Sequence, residues 1–93
     1  MPDAIVEVFT SQGTIVGRFV NPRIERLSEH YYSITGTFVD ADGTVLDRID
    51  FNPEVMPYTA DISPASPCDH TKLVMVYVQR GRNPIQMTGV CPK

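Results

Sequence analysis

The chain has 93 residues, 42% of them apolar and 20% charged, which suits one globular domain with a modest core and not a disordered tail. Eleven Asp and Glu against eight Lys and Arg leave a net charge of −3; this disfavours a general nucleic-acid binder, which needs a cationic footprint to displace counterions. No apolar run approaches the about 20 residues of a spanning helix, and Met1-Pro2-Asp3 leads into a strand pattern instead of a basic region with a long apolar core. The expectation is a soluble chain without a signal peptide, either cytoplasmic or exported and met in its mature form.

Ala4 to Thr10 reads as a first strand and Thr14 to Val20 as its return, with Ser11-Gln12-Gly13 as the turn. Ala4, Val6 and Val8 share one face, as do Ile15, Gly17 and Phe19 on the second strand. Gly17 in mid-strand points to a bulge or to close approach by another backbone. Asn21-Pro22 breaks the pattern. Asn suits an N-cap and Pro a first helical position, and Ile24, Leu27 and Tyr31 recur at helical spacing, so a short helical turn over 22–28 is expected beside the alternative of an irregular strand.

Strand character returns from Tyr31 to Val39. Asp40-Ala41-Asp42-Gly43 is a turn, with Gly43 supplying positive φ, and Thr44 to Phe51 reads as the return strand with Val45, Asp47, Ile49 and Phe51 on one face. Residues 52–71 contain Pro53, Pro57, Pro64 and Pro67, each fixing φ and withholding a donor. The expectation is a long, stiff loop without regular structure, of the kind that tends to carry function. Leu73 to Val78 is an unbroken apolar run flanked by Lys72 and Gln79. Leu73, Met75 and Tyr77 would face one way and Val74, Val76 and Val78 the other, as in a central strand covered on both faces. Arg80 to Pro84 is a turn, and Ile85 to Val90 a last strand. The sum is a single all-β domain over residues 1–93, a small antiparallel barrel or two-sheet sandwich of about six strands.

Cys68 and Cys91 could be bridged, which would stabilise the domain by about 3 kcal/mol on loop-entropy grounds, or could be unrelated thiols. Cys68-Asp69-His70 has the composition of a thiolate nucleophile with its base, but no oxyanion hole is suggested nearby and a turn explains it. Adding Cys91 and His30 makes a zinc set on paper, at a spacing that matches no standard structural site. Asp40-Ala41-Asp42-Gly43 resembles the start of a calcium loop, yet position 51 is Phe where a bidentate Glu is needed. Asp47 and Asp50 fall on opposite faces of a strand and make a poor acid/base pair. Neither metal, cofactor nor catalytic residue is assigned.

Arg80 and Arg82 could grip a phosphate or carboxylate, or simply solvate a hairpin tip. With Tyr31, Tyr32 and Phe38 they would make a stacking platform for single strands, a reading the acidic balance opposes. The Pro-rich loop offers Val55, Met56, Tyr58 and Ile62 on a stiff segment, where little ordering entropy is lost on association; the bland alternative is a lid closing one end of the fold. The expected function is non-catalytic binding of another protein (an inhibitor, immunity-type or phage accessory module) through residues 52–70. The alternatives are a small-ligand carrier with a pocket at the barrel mouth and a homo-oligomer subunit joined through the edges of its first or last strand.

Overall fold

The computed structural model describes residues 4–49, 58–63, 72–78 and 81–91. They form β1 (Ile5–Phe9), β2 (Ile15–Arg26), β3 (Tyr31–Asp40), β4 (Thr59–Ser63), β5 (Lys72–Val78) and β6 (Ile85–Val90). Every pairing is antiparallel, and the sheet closes in the order β1-β2-β3-β6-β5-β4 with β4 returning to β1. The fold is therefore a small all-β barrel. Closure also gives the first and last strands a neighbour on each side, so neither offers the free edge that an edge-joined oligomer requires.

Period-two alternation decides which residues fill the barrel. Val6 and Val8 of β1 face inward with Gly17 and Phe19 of β2, Ile34 and Phe38 of β3, Ala60 and Ile62 of β4, Leu73 and Met75 of β5, and Ile85 and Met87 of β6. Phe19 and Phe38 meet edge to face, 5.1 Å between centroids. Gly17 is the reason they can. A Cβ there would lie 2.3 Å from the Val39 carbonyl oxygen and 2.7 Å from the Phe38 ring, so the second strand needs a residue without one. The close backbone approach expected at Gly17 is thus present, and so is a bulge beside it: Val8 pairs with Gly17 but Phe9 with Ile15, leaving Val16 extra. The bulge turns Ile15 outward, away from the face it was expected to share with Gly17 and Phe19.

Four expectations are corrected. No helical turn forms over residues 22–28: β2 continues through Arg26, with Ile24 opposite Ile34. Asn21 adopts φ +51 and the register slips between Val20 and Arg23, a bulge that accommodates Pro22 without breaking the strand. The second correction concerns Thr44 to Phe51. The Asp40 turn forms as read, with Asp40 Oδ1 accepting from the Asp42 and Thr44 amides, 2.9 Å each, and Gly43 at φ +92. Among the described residues, however, the return makes only a single bridge, Val39 to Val45. The Leu46 amide still donates to the Phe38 carbonyl at 2.9 Å, but the Phe38 amide donates to Asn83 Oδ1 at 3.0 Å. Asn83 Nδ2 in turn donates to the Leu46 carbonyl. One side-chain amide thereby bridges the two strands where a ladder was expected, and Ile49 drops into the core.

Third, the segment 52–71 is not loop throughout. Tyr58, Ala60 and Ile62 are buried while Thr59 and Asp61 pair outward, so the five residues of β4 fit between Pro57 and Pro64 and close the barrel. Fourth, β5 is covered on one face only. A bulge between Met75 and Tyr77 places Val78 inside with Leu73 and Met75, and leaves Val76 exposed.

Beyond Val20, β2 pairs with β3 on one side and, among the described residues, with nothing on the other. This open edge carries Pro22, the bulge, and the ion pair Arg23 Nε to Glu25 Oε1 at 2.8 Å, three devices that oppose strand-to-strand association. Replacing Pro22 by Thr and Arg23 and Glu25 by Val should raise light scattering on concentration; unchanged monodispersity would show that the edge is guarded otherwise. Gly17→Ala should lower stability in urea by about 1–3 kcal/mol or prevent folding, and an unaltered midpoint would contradict the close approach. Asn83→Ala should cost about 1–3 kcal/mol in the same measurement, because it leaves a partly buried N–H and a C=O without partners.

Candidate functional site

Of the residues expected to bind, the structure describes Tyr58, Ile62 and Arg82. Tyr58 is 2% exposed and Ile62 6%, both in the core cluster, so neither can touch a partner while the barrel is intact. Burial of their side chains is what closes β4 onto β1. Arg82 is exposed. Val55, Met56, Arg80 and Cys68 lie outside the described residues, as do Asp50, Phe51, Asp69 and His70. Cys91 packs against the core, and its expected disulfide partner falls among the undescribed residues just named. Tyr32 and Phe38 are buried, which dismantles the stacking platform imagined with Tyr31. Among the described residues there is no group of three or more His, Cys, Asp or Glu side chains placed to hold a metal ion.

The outer face is more informative. On a small barrel the outward positions of adjacent strands line up in rows across the register. One row is apolar: Leu27, whose amide donates to the Tyr31 carbonyl at 2.8 Å, then Tyr31 opposite Val90, then Val90 opposite Val74. Val76 stands beside it on the β5 bulge. Leu27 is 56% exposed, Tyr31 47% and Val76 52%, with Val74 and Val90 half-buried between them. In the next row Glu25 lies opposite Ser33 and Ser33 opposite Thr88, with Ser33 itself buried. Gln86 Nε2 donates to Ser33 Oγ at 2.9 Å. Adjacent exposed apolar side chains are a common feature of protein-contacting surfaces.

The turn that carries Leu27 is braced. Arg26 reaches back with Nε donating to the Ser28 carbonyl at 3.1 Å and Nη2 to the Glu29 carbonyl at 3.2 Å. The Ser28 amide also donates to the Tyr31 carbonyl, 3.3 Å, and the Cys91 amide to the His30 carbonyl, 3.1 Å, which ties the turn to the end of β6. A guanidinium spent on local carbonyls orders the turn with charge-assisted hydrogen bonds.

Reading the sequence missed this surface because it treated Leu27 and Tyr31 as the spacing of a helix and Val74 and Val76 as buried. The available signal, for that pair alone, was local: Ser28-Glu29-His30 is a polar turn between the large apolar residues Leu27 and Tyr31. Comparison with protein-family models, with curated proteins and with solved structures gives no match.

Arg26→Ala should leave the barrel folded but increase hydrogen exchange at the Leu27 and Ser28 amides. Protection equal to that of the parent chain would mean the guanidinium does not brace the turn.

Proposed function

We propose that the protein is a non-catalytic binding module whose partner is another protein, docked on the strip formed by Leu27, Tyr31, Val74, Val76 and Val90. The observation that supports this reading is the exposure of Tyr31, Val76 and Leu27 near one another on the outer face of the barrel. Exposed singly, such residues are ordinary; in a row they lose the most free energy by staying wet. The docking surface is thus moved from the Pro-rich segment to the outer face, since Tyr58 and Ile62 serve the core. A tyrosine flanked by aliphatic residues also supplies the kind of rigid anchor that dominates interface energetics.

The carrier alternative has less support, because the inward positions are taken by large buried side chains, Phe19, Phe38, Ile34, Leu73 and Met87 among them. A photo-crosslinking residue placed at position 31 tests the proposal in cells that make the protein. The expected result is a discrete protein adduct that is lost when Val76→Asp is added and is not seen from position 42 on the Asp40 turn. Equal labelling from positions 31 and 42, or an adduct indifferent to Val76→Asp, would overturn it.

A further inference from the structure

We draw no further inference here: the strongest candidate, the open groove of about 410 Å³ where β1 begins beside β2, lined by Ala4, Ile5, Arg18, Phe19, Val20 and Asn21, carries none because nothing in the structure shows what covers it.

Discussion

The pairing of β4 with β1 is the constraint on which the architecture rests. Val6 lies opposite Ile62 and Val8 opposite Ala60, and this short ladder converts an open, curled sheet into a ring. Without it β1 would present a bare edge and the interior would be open along one side. With it, every inward side chain from Val6 round to Leu73 is enclosed by others, which is how a chain this small removes enough apolar surface from water to fold. The outer face is a by-product of the same closure. A ring of strands has one inside, and Leu27, Tyr31 and Val76 are among the apolar residues left exposed on the other face.

Much of the ring was legible in the sequence. The β1–β2 hairpin, the strand from Tyr31, the Asp40 turn, the apolar run at 73–78 and the last strand are all written in period-two patterns punctuated by Gly, Asn and Asp. What escaped has specific causes. Tyr58, Ala60 and Ile62 alternate as plainly as any strand, but four prolines nearby outweighed that signal. The Thr44–Phe51 pattern resembles a strand, yet whether it pairs depends on Asn83, far along the chain. Bulges at Val16, near Asn21 and at Val76 each shift which face a residue occupies, and a one-residue slip cannot be read from alternation that is apolar on both sides. Val76 was assigned to the interior for that reason.

The exposed apolar surface, proposed above as a docking site, illustrates the same limit. Five residues drawn from the turn after β2, from β3, β5 and β6 become neighbours only through the register of three strand pairings. Local sequence announces at most the pair Leu27 and Tyr31. By contrast, the clustered residues that looked chemical in one dimension, such as Tyr32 and Phe38, are dispersed into packing once the barrel forms. Rigidity and exposure are here supplied by different parts: the ladder fixes Tyr31, Val74 and Val90, while Arg26 fixes the turn beside them.

The order in which the ring is joined has a consequence for synthesis. A chain emerging from its N-terminus makes β1, β2 and β3 early as consecutive hairpins, whereas their concave face must wait for β4, β5 and β6 to arrive from the far end. Until then Val8, Phe19, Ile34 and Phe38 line a half-built gutter facing water. Such long-range closure slows folding and prolongs the time during which nascent copies can stick to one another. The proline and the charged pair at the uncovered part of β2 stand on that early meander, so their protection operates before the molecule is whole.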